Sequence, residues 1–265
     1  MPTPLNETGL YEGFSLGLGT TSAHLIAAPN IKNKNRIVMV SIGASVQNQI
    51  SERLEVRIPE LTNTKFKFVN LCQPSQDIND WLTSADVWST VTSRLSSAGV
   101  LNSEIQVAWL QDDILEDTAS IFPASPQAVK AGFISLINKL KTNFPKLKQI
   151  FISGRPYSGF SDDPKHDEPK GYHNGWACRW VVEDQINNLI PKTPWICDSI
   201  YLWTDGENAR VDGLSVIQAN YNADGIHLSS SGKTKFGDYM FDKFKTHSVS
   251  SKYFFSNIKL DFFSK

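Results

Sequence analysis

The chain has 265 residues, 40% of them hydrophobic, and its 26 basic residues against 27 acidic ones give a formal net charge of -1. Such a composition suits one large domain with a well-filled core, and charge this balanced offers no footprint for nucleic acid. No apolar stretch approaches the length of a bilayer span, and residues 1–20 lack the basic start and continuous apolar core of a secretory signal.

Residues 1–35, rich in Gly, Thr, Asn and Pro, read as an irregular leader. The run Ile37–Ile42, ending at Gly43, is short and rich in branched residues, as expected of a strand buried on both faces. Similar runs recur at Phe66–Leu71, Ile105–Leu110 and Gln149–Ser153. Between them lie helical patterns. Val46–Ile50 begins one, and Ala85–Ala98 stops at Gly99. Ser125 as N-cap and Pro126 at the first helical position open a segment running to Phe144. Trp176–Leu189 and Lys233–Phe244 follow, then a tail from about residue 246. Alternating strand and helix predicts a single α/β domain over 1–265 with a parallel sheet covered on both sides. Cys72, Cys178 and Cys197 are too scattered for a disulfide scaffold; they read as buried thiols, with one bridge at most.

In such sheets the working residues sit in the loops after the strands. Four loops qualify: Gly43-Ala44-Ser45, Cys72 to Gln76, Gln111-Asp112-Asp113, and Gly154 to Tyr157. Ser45 follows a buried strand and opens a helix, whose free N–H groups can stabilise an oxyanion. A serine needs a base, and Asp224-Gly-Ile-His227 supplies an imidazole with a carboxylate three residues before it to hold its tautomer. The bland alternatives are a serine that only caps a helix and a histidine in a polar turn. Gln47 stands where an α/β-hydrolase nucleophile elbow needs glycine, which excludes that relative.

With these residues the chain resembles the SGNH (GDSL-type) hydrolases. The match is partial at Ile42-Gly43-Ala44-Ser45, where Ala44 replaces the usual aspartate, and good at Asp224-Gly-Ile-His227-Leu-Ser-x-x-Gly232. A bacterial subgroup with a Gly-x-Ser nucleophile motif is closer. It has segments similar to Glu168-Pro-x-x-Tyr172-x-x-Gly175, Trp180-x-x-Glu183-Asp-Gln185-Ile and Tyr201-Leu-Trp203-x-Asp205-Gly206, so that the resemblance covers most of residues 9–245. It implies a three-layer α/β/α fold with a flavodoxin-like parallel sheet and a serine esterase with a Ser45, Asp224, His227 triad, using no cofactor and no metal. The family's oxyanion-hole glycine and asparagine are missing from the second and third loops. Ser75 N–H replaces the first and the Gln111 amide the second, beside Ser45 N–H; Asn48 ranks below Gln111. Ionised Asp112 or Asp113 would repel an oxyanion.

Arg155, Tyr157, His173 and Trp176 are expected near the strand ends, an aromatic and polar mixture that suits a sugar or acyl ester. His173 is also a second candidate base, while Trp180 reads as part of a buried helical stripe. The 161–168 segment, dense in ligand-type side chains but without a recognised metal spacing, reads as a solvated acidic loop. Tyr253 to Phe262 supplies aromatics that pack on the body or form a contact surface.

The expected function is hydrolysis of a carboxylic ester, with a short acyl group on a carbohydrate or alcohol. The rival is a weak or inactive ligand- or carbohydrate-binding protein of the same fold. Small-molecule or carbohydrate esters are the expected partners, with no nucleic acid. The oligomeric state and the compartment, cytoplasmic or secreted after signal removal, stay open.

Overall fold

A computed structural model describes residues 24–31, 36–61, 63–197, 201–210, 212–247 and 249–254. Most of the leader expected over 1–35, and the tail beyond 254, lie outside the described residues.

Five strands form one parallel sheet: β1 (Ile37–Gly43), β2 (Phe66–Asn70), β3 (Ile105–Gln111), β4 (Gln149–Ile152) and β5 (Trp195–Cys197), in the order β2-β1-β3-β4-β5. That is the flavodoxin-like order, with the direction of winding reversing beside β1. The helices are α1 (Ser45–Arg57), α2 (Ile78–Thr83), α3 (Ala85–Ser97), α4 (Ala124–Asn143), α5 (Lys170–Ile186), α6 (Ser230–Thr246) and the short α7 (Ser251–Phe254).

Strand periodicity splits the core into two layers. Val38, Val40 and Ile42 of β1, with Ala108 and Leu110 of β3, face the layer of α2, α3, α4 and α5, where Trp81, Val91, Phe133 and Val181 are buried. Their neighbours Ile37, Met39, Val107 and Trp109 face α1 and α6, packing with Ile50, Leu54, Phe236 and Met240. Every residue of β1 and β3 is buried, which is why these strands read as continuous apolar runs rather than alternating ones. The resulting three-layer α/β/α architecture is the expected one.

Several local readings shift. The helix predicted to open at Ser125 starts at Ala124 with Pro123 as its N-cap residue and no side-chain cap, so Ser125 is a buried helical residue. The helix predicted from Trp176 starts six residues earlier, at Lys170. Two elements escaped the pattern. Helix α2 is only six residues long and is fixed by a reciprocal cap between Asp77 and Asp80. Strand β5 is three residues long and is pinned by Gln185, which accepts from Ile196 N–H and donates to the Pro191 and Pro194 carbonyls. All three cysteines are buried free thiols. Tyr253 is buried in the α1/α6 layer.

Candidate active site

Ser45 is the first residue of α1, directly after β1. The N-cap is Ala44, which offers no capping side chain, so Ser45 is not the capping residue. As the first helical residue it has an N–H without an intrahelical partner. Gly43 makes the tight entry possible: a Cβ there would lie 2.0 Å from both the Gln111 carbonyl and Gln47 Oε1. Gln47, fully enclosed, accepts from Gln111 N–H at 2.9 Å and donates to the Trp109 carbonyl at 2.9 Å. The residue that excluded a nucleophile elbow thus ties the start of α1 to the end of β3.

His227 arrives from the far end of the chain. Helices α1 and α6 pack side by side, clamped by Arg53 and Arg57 on Asp238, each at 2.7 Å, and by Lys233 on Glu52. Just ahead of α6 the chain folds into a small turn. Tyr221 bridges to Leu228, Asn222 N–H donates to the His227 carbonyl at 2.7 Å, and Gln49 of α1 accepts from Leu228 N–H at 2.8 Å. Within the turn Asp224 accepts from the N–H groups of Ile226 and His227. Gly225 sits at φ +67°, and a Cβ on it would collide with the Phe160 carbonyl.

This turn sets Asp224 Oδ2 2.7 Å from His227 Nδ1, and His227 Nε2 3.0 Å from Ser45 Oγ. Desolvation acts to raise the Asp224 carboxyl, but the His227 ring and the two turn N–H groups outweigh it and hold Asp224 below its ordinary value. A proton leaving Ser45 has a defined acceptor, and the charge then formed on the imidazole has a carboxylate beside it.

A cavity of about 160 Å³ opens beside Ser45 and His227. Gln111, Asp112 and Asp113 at the end of β3 line it with Ser75, Arg155 and His166, and Leu115 and Ile226 are apolar contributions. Arg155 and Asp113 form a buried ion pair, Nη1 to Oδ2 at 2.9 Å, and Arg155 Nη2 lies 3.3 Å from His166 Nδ1. Burial, reinforced by the Arg155 charge, pushes the His166 imidazolium down to about 4. His166, like Leu115 and Ile226, lines the cavity without being expected there, since its segment reads as a solvated acidic loop. The only signal for it was its position between the Arg155 and α5 segments.

The expected oxyanion donors divide. Ser45 and Ser75 both line the cavity, and Ser75 adopts φ +65°, the backbone region in which a glycine would be at ease. Gln111 lines it too; one N–H of its amide donates to the Gly154 carbonyl at 2.9 Å, and the same nitrogen carries a second N–H. The Asn48 amide donates to Glu52.

Of the four expected substrate contacts, only Arg155 lines the cavity. The expectation for Tyr157, His173 and Trp176 needs correction, and helical spacing is the reason. Because α5 begins at Lys170, His173, Trp176 and Trp180 fall on one face at spacings of three and four and pack together around Phe122. His173, which was also a second candidate base, is buried with Nδ1 3.0 Å from Ser120 Oγ, and burial lowers its basicity. Tyr157 packs on Phe160 and Trp203. Glu168 holds this region together, accepting from Ser158 N–H, Tyr172 N–H and Trp203 Nε1, so the Glu168 and Trp203 segments of the family pattern have a structural task. Among the described residues no group of three or more His, Cys, Asp or Glu side chains is arranged to hold a metal ion, and no helix is long and apolar enough to cross a membrane.

No protein-family model matches the chain, and no curated protein matches it in sequence. Its structure is similar to that of an acetyl xylan esterase, AlAXEase, at 16% identity and a TM-score of 0.49 over 78% of this chain and 98% of that one. It is also similar to the lipase Lip_vut3 from a goat rumen metagenome, at 9% identity and a TM-score of 0.45 over 78% of this chain and 97% of that one.

Proposed function

We propose that the protein is a serine esterase of the SGNH type, cleaving a carboxylic ester through an acyl-enzyme. The observation that carries this reading is the unbroken series from Asp224 Oδ2 through His227 to Ser45 Oγ, at 2.7 and 3.0 Å. Ser45 Oγ attacks the ester carbonyl carbon while its proton passes to His227 Nε2, and the carbonyl π pair moves onto oxygen. Collapse of that intermediate expels the alcohol, which takes the proton back from His227. Water, activated by the same imidazole, then releases the acid and restores Ser45. The chain's own residues account for each proton and electron pair. The small cavity favours a short acyl group, and the open, polar side of the triad leaves room for a carbohydrate or other alcohol.

One observation favours the rival, a binding protein of the same fold: the Gly154 carbonyl takes one of the two N–H groups of the Gln111 amide and fixes how that amide is turned. Ser45→Ala discriminates. It should abolish hydrolysis of 4-nitrophenyl acetate and labelling by a fluorophosphonate probe while leaving the thermal transition in place. Undiminished ester turnover in that variant would remove Ser45 from the mechanism.

A further inference from the structure

His227 sits on a turn whose internal bonds fix its shape but not its place above α1. Asp224 Oδ1 accepts from His227 N–H at 2.9 Å, and the His227 carbonyl accepts from Asn222 N–H at 2.7 Å. The next residue, Leu228, faces the other way. Tyr221 and Leu228 form an antiparallel bridge, and the bonds around it run from Asn222 N–H to the His227 carbonyl and from Ser229 N–H to the Asn220 carbonyl. Tyr221 and Leu228 are therefore a non-hydrogen-bonded pair, in which each residue's own N–H and C=O point away from the partner segment. Leu228 is buried, so both groups need a partner. Gln49 supplies both from one side chain. Its Oε1 accepts from Leu228 N–H at 2.8 Å, and its amide donates to the Leu228 carbonyl at 3.4 Å.

The spacing ties this contact to the chemistry. Ser45 and Gln49 are four residues apart on α1 and lie one above the other on the same helix face. That face meets consecutive residues of the turn: Ser45 Oγ lies 3.0 Å from His227 Nε2, and Gln49 takes Leu228. Arg53, one turn further along α1, extends the row onto Asp238 of α6 at 2.7 Å. The start of α1 is itself tied to the sheet by Gln47, so the turn is the part that must be brought into register. The Tyr221 hydroxyl holds the turn from its other side, donating to the Tyr157 carbonyl, but Gln49 acts one residue from the base.

We infer that Gln49 is a positioning residue for the reaction: by closing both backbone groups of Leu228 it sets the distance from His227 Nε2 to Ser45 Oγ. This rests on the serine-esterase reading and deepens it. Gln49 touches no reacting atom, and it does not line the cavity. Without its bonds Asp224 and His227 stay together, because their contacts are internal to the turn, while the imidazole loses its register on the serine. Transfer of the serine proton then suffers and substrate binding does not.

Two variants and one structure test the assignment. Gln49→Met keeps the length of the side chain and removes both bonds. In folded protein, well below its thermal transition, kcat on 4-nitrophenyl acetate should fall on the order of a hundredfold while KM stays within about threefold, as for a misplacement of about 1 Å. Gln49→Glu keeps the acceptor for Leu228 N–H and loses the donor, so its kcat should fall only about three- to tenfold. A wild-type kcat in folded Gln49→Met overturns the inference, and so does a Gln49→Glu variant as slow as Gln49→Met. If Gln49→Met does not fold, a wild-type kcat in Gln49→Glu overturns it. In a crystal structure of either variant that loses rate, the Asp224 to His227 contact should persist while His227 Nε2 stands farther from Ser45 Oγ than the present 3.0 Å; an unchanged distance overturns the inference. Wild-type protein that a fluorophosphonate labels, with no loss in Gln49→Met, refutes the positioning role alone. Wild-type protein that is never labelled and never cleaves the ester refutes the esterase reading and the positioning role with it.

Discussion

Two charged pairs stand at the cavity and make walls built on opposite plans: His227 lines it with Asp224 behind, and Arg155 and Asp113 line it together. On one side, Asp224 and His227 are three residues apart, and their side chains are 44% and 40% exposed. On the other, Asp113 and Arg155 come from different strand ends, 42 residues apart, and are 6% and 10% exposed. The first pair sits in water, which screens it and leaves it little weight in stability. The second has been taken out of water, so its Coulomb attraction must offset a large desolvation cost, and neither partner can be removed without stranding the other. The proposed chemistry falls on the wall that can exchange protons with solvent. Rigidity is placed on the wall that must hold its shape.

The largest effects should fall on opposite observables for the two walls. His227→Ala removes the base, and kcat on 4-nitrophenyl acetate should fall roughly 10⁴- to 10⁶-fold. Stability should change by no more than about 0.5 kcal/mol, as for other exposed positions. Arg155→Met should do the reverse, costing about 3–5 kcal/mol in urea unfolding because Asp113 is left buried and unpaired. Adding Asp113→Leu to that variant should recover part of the loss. If Arg155→Met unfolds at the wild-type urea concentration, the pair is not buried as described and the contrast between the walls collapses.

The same contrast explains what could be read from the sequence. The strands were legible because both faces of β1 and β3 are covered, which turns them into continuous apolar runs. Asp224 and His227 were legible because the whole device fits within one turn. Ser45 was legible from its place after a strand. The opposite wall was not, because its logic is pairwise and long-range. Nothing local to Gln111 says that its amide will meet Gly154, 43 residues away. Nothing local to Asp112 says that it will be enclosed. The α5 residues failed for another reason. The helix start moved back to Lys170, and that rotation assigns His173 and Trp176 to an aromatic cluster around Phe122 rather than to the strand ends. Composition gave the right residue types and the wrong face.

An intermediate effect is expected where the walls meet, at His166. Its imidazolium is depressed from 6.5 to about 4 by burial and then by the Arg155 charge. The folded state therefore binds this proton less readily than the unfolded chain does. The resulting stability is fully present above about pH 6.5 and is lost as pH falls through the window down to about 4. Partial solvent access discounts the amount to on the order of 1–2 kcal/mol. Chemical denaturation across that range should show a slope in the wild-type protein that is reduced in His166→Gln. Equal slopes would mean that solvent reaches the ring freely, and His166 would then belong with the screened triad wall.

The smallest effect concerns Ser75, at the rim. Its left-handed backbone, φ +65°, costs a side chain-bearing residue about 1–2 kcal/mol, while glycine avoids that cost. Glycine also gains freedom in the unfolded chain, which takes back roughly 0.5–1 kcal/mol. The two terms nearly offset, so Ser75→Gly should stabilise the protein by only about 0.5 kcal/mol. Its effect on rate is the sharper measurement. If Ser75 contributes its backbone N–H to the oxyanion, then Ser75→Gly and Ser75→Ala both keep that donor and should match the wild-type kcat. A fall in both variants would show that the hydroxyl is the working group. The rim would then recognise substrate by side chains, as the buried wall does, instead of by a backbone conformation that the serine only tolerates.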